Sequence, residues 1–575
     1  MGAEKKKKNK KAPLYTWFPA VVIAAVIALM PVIVGSVEII LHECELPLAP
    51  NGGGILIDHC QRTREIFVFA AGCILLLYWA GERIFPDHPL PSPFVHEKSA
   101  RLPMIFCGGL LLMSVISAVF SQHGEVSFWG FATQSEGIAA LIGYILLYLA
   151  AYCWLRGDKI RLISFGALAA AGIMTVFYLT ERISGQQMTQ LVWGVTDERT
   201  GTALLFGNSA VCGEFSVLLF PVLLLSGIRA EKPALRAVFS LAAGVMACIT
   251  VTSYSTAAFA GLGIAAVLCA ALILFTSCRN KRALYSLLAL APFAVMLAVN
   301  FSGTLRSLQI SAENAGVYAP GECFRLTDID ISGDTLTLYS GDDTLTVKLT
   351  EDGAEASGNG EFLCALGEEM APFPGEFSSA SARLSGGLLQ FDLGYDDTIE
   401  FQALDGEIIY IGLNGYLDQE PSKSAFPELS RFYSFGTGRG YIWLNSLPIL
   451  KNCIFKGVGE GQFAFWFPQD DIVGMLNTHG TTALLTDKPH CMYLGIALSD
   501  GIPALILFAC LAFIAVKRGL FPALRDPVRA GVIISLACFL VMGIVNDSAA
   551  AYSSLFWIFA GVCSQPAAPS ENSGK

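Results

Sequence analysis

The chain has 575 residues, of which 54% are hydrophobic and only 15% charged, and its mean hydropathy is +0.55. Soluble domains carry about a quarter charged residues, so an ordinary soluble protein is excluded. The formal charge of −11 is unevenly spread: Gly303 to Gly440 holds 23 Asp or Glu against 7 Lys or Arg, while short connecting segments elsewhere are basic. That asymmetry reports topology and not nucleic-acid binding.

A membrane span needs about 20 mainly apolar residues to cross a ~30 Å hydrocarbon core. Nine runs qualify before the acidic segment, near 15–39, 64–85, 102–121, 136–155, 160–181, 205–228, 234–254, 256–276 and 282–301. Three follow it, near 494–516, 528–546 and 549–565. The first run, Leu14–Ile40, is too long for a cleaved signal peptide and has no small-residue cleavage pattern, so it reads as a signal anchor.

Orientation follows from Lys and Arg in short loops, which favour the cytoplasm. Lys5, Lys6, Lys7, Lys8, Lys10 and Lys11 precede the first run. Every second loop is basic as well, through Lys98 and Arg101; Arg156, Lys159 and Arg161; Arg229, Lys232 and Arg236; Arg279, Lys281 and Arg282; and Lys517, Arg518, Arg525 and Arg529. Twelve spans with both termini cytoplasmic and the acidic segment outside are therefore expected. The fold class is an all-α polytopic membrane protein with an inserted extracytoplasmic β-rich module. Its divisions are a membrane domain over 1–301, the acidic insertion over 302–429, a membrane-proximal outer loop over 430–493, and a second membrane domain over 494–575.

Within the insertion, "DTLTLYS" and "DTLTVKL" alternate apolar and polar residues across an "SGDD" turn. "LLQFDLGY", "DTIEFQAL" and "EIIYIGL" continue the habit. An antiparallel β-module is expected over 320–417, with a spacer or interaction role. Of sixteen cysteines, Cys44 with Cys60 and Cys323 with Cys364 share outer segments, where disulfides can form; most others suit helix interiors.

The outer loop has a different texture: an amphipathic stretch, a Gly-rich turn, then aromatics. Pro489 suits a first helical turn, which puts His490 near a helix start facing the outer water layer. Nothing has the spacing of a metal site, a P-loop or a Gly-x-Ser-x-Gly elbow, so neither metal nor cofactor is expected. Two readings stand for each polar candidate. His490 is a general acid or base, or an ordinary helix-start residue. Arg199 and Arg439 hold a phosphate-bearing headgroup; otherwise Arg199 pairs with Asp197 or Glu198, and Arg439 snorkels. Glu136 suits a helix dipole. Glu214 lies inside a span, where carboxylates are rare and usually functional. Tyr493 suits an interfacial aromatic belt, and Asp487 and Lys488 either position His490 or are interfacial charges.

Three stretches resemble the O-antigen ligase and O-antigen polymerase family of bacterial envelope glycosyltransferases. "LFGNSAVCGEFSVLLFP" resembles the family's Gly-Asn-Pro-Asn stretch leading into a span. "GRGYIWLNSLPILKNCIFKGVGEGQF" resembles its Arg-x-x-x-Trp helix and Gly-x-Gly turn, and "KPHCMYLGIALSDGIPALI" resembles its Pro-His-Asn-x-Tyr-Leu signature. Ser209, Thr256 and Cys491 depart from the usual Pro, Arg and Asn; the last removes an amide that could orient His490. The resemblance implies a GT-C-like fold in the bacterial plasma membrane. It also implies metal-independent transfer of a glycan from a polyprenyl diphosphate to an acceptor hydroxyl at the outer face, the acceptor being a glycan, lipid, wall polymer or protein. Arg199 and Arg439 would hold the diphosphate, His490 would take the acceptor proton, and Asn208, Lys488 and Tyr493 would contact substrate. A polytopic transporter or lipid-linked glycan flippase is the alternative function. A structural or sensory membrane protein is the third.

Overall fold

The computed structural model describes residues 14–35, 37–40, 55–84, 98–131, 135–193, 201–277, 281–299, 302, 305, 309, 321–351, 353–411, 417, 418 and 420–566. Among them, eight helical segments are long and apolar enough to cross a membrane: Tyr15–Val32, Cys60–Gly81, Arg101–Val119, Gly157–Ser184, Ser209–Arg229, Pro233–Thr252, Thr256–Leu274 and Ile502–Ala523. Four shorter apolar helices accompany them, at Ile138–Trp154, Leu284–Met296, Pro527–Met542 and Ala550–Cys563. The chain is a multi-pass membrane protein with a separate β-sheet region.

In chain order the helices are α1 (Phe18–Leu29), α2 (His59–Ile84), α3 (Lys98–Val119), α4 (Gly124–Trp129), α5 (Ile138–Trp154), α6 (Arg161–Ser184), α7 (Met188–Trp193), α8 (Ser209–Arg229), α9 (Pro233–Thr252), α10 (Thr256–Ser277) and α11 (Leu290–Val299). After the β-region come α12 (Phe435–Asn452), α13 (Phe463–Trp466), α14 (Ile472–His479), α15 (Met492–Asp500), α16 (Ile502–Ala523), α17 (Pro527–Met542) and α18 (Ala550–Cys563). Helix α8 is the central post, with 94% of its apolar window buried, and it packs on α6, α9, α10 and α17. Helix α17 approaches it closely because Gly531 has no side chain: a Cβ there would lie 2.7 Å from the Pro221 carbonyl oxygen. Four residues on, the Ser535 hydroxyl donates to Leu218 O at 2.6 Å. Small and hydroxyl residues join helices in this way where lipid supplies no hydrophobic drive. At the other end of α8, Arg229 Nη1 contacts both Asp526 carboxylate oxygens, at 2.8 and 2.7 Å.

Three boundaries differ from the hydropathy reading. The first helix stops in a 3-10 turn, Met30–Val32, containing Pro31. The chain then extends as β1 (Val37–Ile40), antiparallel to β2 (Ile55–Asp58). The ninth run begins as a 3-10 helix, Lys281–Ala289, before α11. The tenth is broken at Gly501, whose φ of +88° ends α15 and whose missing side chain admits the Phe455 carbonyl oxygen.

The β-module consists of two antiparallel meanders. One runs β3 (Asp328–Ser332), β4 (Thr335–Ser340), β5 (Asp343–Thr350), β6 (Gly353–Gly358), β7 (Glu361–Leu366). The other runs β8 (Ala371–Pro372), β9 (Ser381–Ser385), β10 (Leu388–Asp392), β11 (Ile399–Leu404), β12 (Glu407–Ile411), β13 (Leu417–Asp418). Register explains the alternation: Leu336 faces Val347 and Leu338 faces Leu345, all four fully buried. The two meanders share one apolar core, which Ile472 and Leu476 of α14 complete. Asn477 ties the helix on, donating to Leu326 O at 2.7 Å and accepting from Tyr395 OH at 3.0 Å. Cys323 and Cys364 are free thiols; Cys44 lies outside the described residues.

Candidate functional site

Near its start, helix α12 is interrupted by an unusual turn. Gly436, Thr437 and Gly438 all have positive φ (62°, 62° and 86°), a left-handed run that glycine tolerates and threonine does not. The turn ends at Arg439, which folds back over it: Nη1 donates to Gly436 O at 2.7 Å and to Thr437 Oγ1 at 3.0 Å. The buried Nε has no hydrogen-bond partner among the described residues. Gly438 is needed for a second reason. A Cβ there would sit 2.1 Å from Cε1 of His479, the last residue of α14. The imidazole of His479 therefore lies directly against the turn that presents Arg439.

His490 also has a positive φ, +49°, a strain of order 1–3 kcal/mol that persists only where surroundings enforce it. Two anchors do so. Trp443 of α12 donates from Nε1 to Pro489 O at 2.9 Å, and Met492 N donates to both Gly543 O and Asn546 O at 2.9 Å. The second anchor binds the 488–491 segment to the connection between α17 and α18, and so brings Asp547 to His490. Asp547 Oδ2 lies 3.0 Å from His490 Nδ1, with side-chain exposures of 12% and 33%.

Burial alone would raise the Asp547 carboxyl. Contact with His490, helped by the charges of Lys488 and Arg439, instead holds it below the ordinary carboxylate range. Burial lowers the Arg439 guanidinium from its usual value, opposed by Asp547 and Glu214; it remains a cation at neutral pH. Burial, with the neighbouring His490, also pushes His479 down to about 4, so His479 is neutral. Glu214, fully buried in the first turns of α8, accepts from Asn546 Nδ2. The Asn546–Asp547 pair thus links the central post to His490.

The sequence-derived residues fall into three groups. His490, Arg439 and Lys488 surround Asp547. Asn208 and Tyr493 are engaged in holding helices: Asn208 Oδ1 caps α8 by accepting from Ala210 N at 2.8 Å, and Tyr493 OH donates to Leu540 O while its ring packs on Phe508. Arg199 lies outside the described residues. Asp547 was not singled out from sequence. Its signal was an acidic residue in a short connection between two apolar runs on the face expected to carry His490.

Chemically, a carboxylate 3.0 Å from Nδ1, close but not aligned as a hydrogen bond here, favours the tautomer with its proton on Nδ1 once the contact tightens around substrate, which leaves Nε2 as a proton acceptor. A base so prepared, with a guanidinium and an ammonium nearby, can deprotonate a hydroxyl while holding anionic oxygens. No family model, no curated protein and no solved structure matches the chain.

Proposed function

We propose that the protein is a membrane glycosyltransferase of the O-antigen ligase or polymerase type. It would have twelve spans in a GT-C-like arrangement, cytoplasmic termini, and its site at the outer face of a bacterial plasma membrane. The observation that carries this reading is the His490–Asp547 contact at 3.0 Å, set among Lys488 and Arg439. His490 Nε2 takes the proton of an acceptor hydroxyl, whose oxygen attacks the anomeric carbon of a glycan on polyprenyl diphosphate. The anomeric carbon–phosphate oxygen bond breaks, and the diphosphate leaves with its charge held by Arg439, Lys488 and, by resemblance, Arg199. A diphosphate is already anionic, so fixed cations suffice where other transferases recruit a divalent ion.

Purified protein in micelles has no compartments, so transport cannot register there. Supplied with polyprenyl-diphosphate-linked glycan and an envelope extract, the wild type should transfer glycan and His490→Ala should not, at equal folded fraction. Transfer surviving in the variant would remove His490 from the chemistry. Absence of transfer, with movement of lipid-linked glycan across liposome bilayers, would instead establish a flippase.

A further inference from the structure

Among the described residues with a left-handed φ, Thr437 is the one β-branched side chain, at φ 62° and ψ 46°. The branch at Cβ crowds the backbone in this region, a cost that glycine would not bear. Thr437 is also exposed, so no burial in a core offsets the cost. The turn itself needs no side chain here, because Gly436 and Gly438 on either side take the same hand without one. A threonine at this position calls for some other contact.

That contact is with Arg439. The Thr437 hydroxyl donates to Gly436 O, which turns its lone pairs toward the arginine, and it accepts from Arg439 Nη1 at 3.0 Å. Nη1 gives its other hydrogen to Gly436 O at 2.7 Å, so the turn holds both hydrogens of that nitrogen. A guanidinium is a planar fork, and fixing Nη1 leaves its side edge, Nε with Nη2, to meet a ligand. Nε is buried and has no hydrogen-bond partner among the described residues, an unmet donor until an acceptor arrives. Tyr441 N closes the base of the loop by donating to Tyr433 O at 3.0 Å, and the His479 ring blocks the space beside Gly438. The fork is therefore aimed by a fixed frame.

Paired N–H groups on one edge match paired oxygens of a phosphate, a bidentate geometry that a mobile side chain reaches only at an entropic cost. We propose that Thr437 is a positioning residue: its hydroxyl fixes Nη1 of Arg439 so that the Nε–Nη2 edge is presented to the diphosphate of the donor. The strain at Thr437 is thus retained for binding, as strained backbone at functional sites is. The proposal rests on the diphosphate reading of Arg439, and Arg439→Lys separates the two.

Binding of tritiated polyprenyl diphosphate, without glycan, to full-length protein in uncharged detergent micelles is measured beside the thermal midpoint. Arg439→Lys, which keeps the charge and loses the fork, should weaken binding about tenfold. Thr437→Gly should weaken it severalfold while leaving the thermal midpoint equal or higher, since the left-handed strain is relieved. Thr437→Ser, which keeps the hydroxyl, should bind within about twofold of wild type. In the Arg439→Lys background, Thr437→Gly should change binding by less than about twofold, because the hydroxyl acts through the fork. Phosphatidylglycerol at equal mole fraction should not displace the ligand. Wild-type binding in Thr437→Gly, a loss that tracks a fall in thermal midpoint, no rescue by serine, a full further loss in the Arg439→Lys background, or displacement by phosphatidylglycerol would each overturn the proposal. Wild-type binding by Arg439→Lys would remove the diphosphate reading as well, whereas wild-type binding by Thr437→Gly alone leaves that reading standing.

Discussion

Replacing Asp547 by Asn separates the electrostatic role of this residue from its shape. The amide keeps the volume and leaves the Met492 contacts to Gly543 and Asn546 in place, since these use backbone oxygens. What disappears is a carboxylate 3.0 Å from His490 Nδ1. Once this contact tightens around bound substrate, a hydrogen bond to a charged group contributes about 1.5–3 kcal/mol. Because each 1.36 kcal/mol is tenfold in rate, Asp547→Asn should lower kcat roughly 10- to 150-fold. KM for the lipid-linked donor should change by less than about twofold, because Arg439 and Lys488 are untouched. The assay is initial-rate glycan transfer in micelles at several donor concentrations, with thermal midpoints measured in parallel. A variant that folds normally and transfers within twofold of wild type would refute a positioning role for Asp547. So would a loss expressed wholly in KM.

Three further outcomes follow from the same geometry. Gly438→Ala sets a Cβ 2.1 Å from His479 Cε1 at a φ of +86°; it should destabilise the protein by roughly 1–3 kcal/mol, and His479→Ala in the same chain should recover only part of the thermal midpoint, because the φ strain remains. His479 sits at about 4 in the fold against about 6.5 unfolded, so the unfolded chain binds the proton first as pH falls. Stability is then full above about pH 6.5 and declines toward pH 4 by at most about 3 kcal/mol; thermal midpoints between pH 7.5 and 4.5 should show this, and His479→Phe should flatten it. Asn477→Leu leaves the Leu326 carbonyl and Tyr395 hydroxyl without their partner on α14, and should loosen the β-module by about 1–3 kcal/mol, read as faster hydrogen exchange in β3 and α14.

Hydropathy made the membrane helices legible because each apolar run is long enough to be judged alone. It misplaced ends where backbone geometry decides, as at Pro31 and at Gly501, whose left-handed φ splits one apolar run into α15 and α16. In the β-module, strands with strict alternation such as β4, β5 and β11 were readable. Strand β6, "GAEASG", was not, since its inward residues Ala354 and Ala356 are too small to mark a face. The candidate site was legible only in part. His490 and Arg439 stood out as rare polar residues at the outer face, whereas Asp547 is joined to His490 by tertiary contacts across 57 positions of sequence. The strained turn before Arg439 and the ring of His479 against Gly438 depend equally on elements distant in sequence.

Glycan transfer from a polyprenyl diphosphate is tested most directly by doubly labelled donor, with one label in the lipid and another in the glycan, supplied to the purified protein with acceptor. Polyprenyl diphosphate should appear one-for-one with glycan on the acceptor, and both products should vanish together in His490→Ala. Donor recovered intact under those conditions, while the same preparation moves it across liposome bilayers, would contradict the assignment.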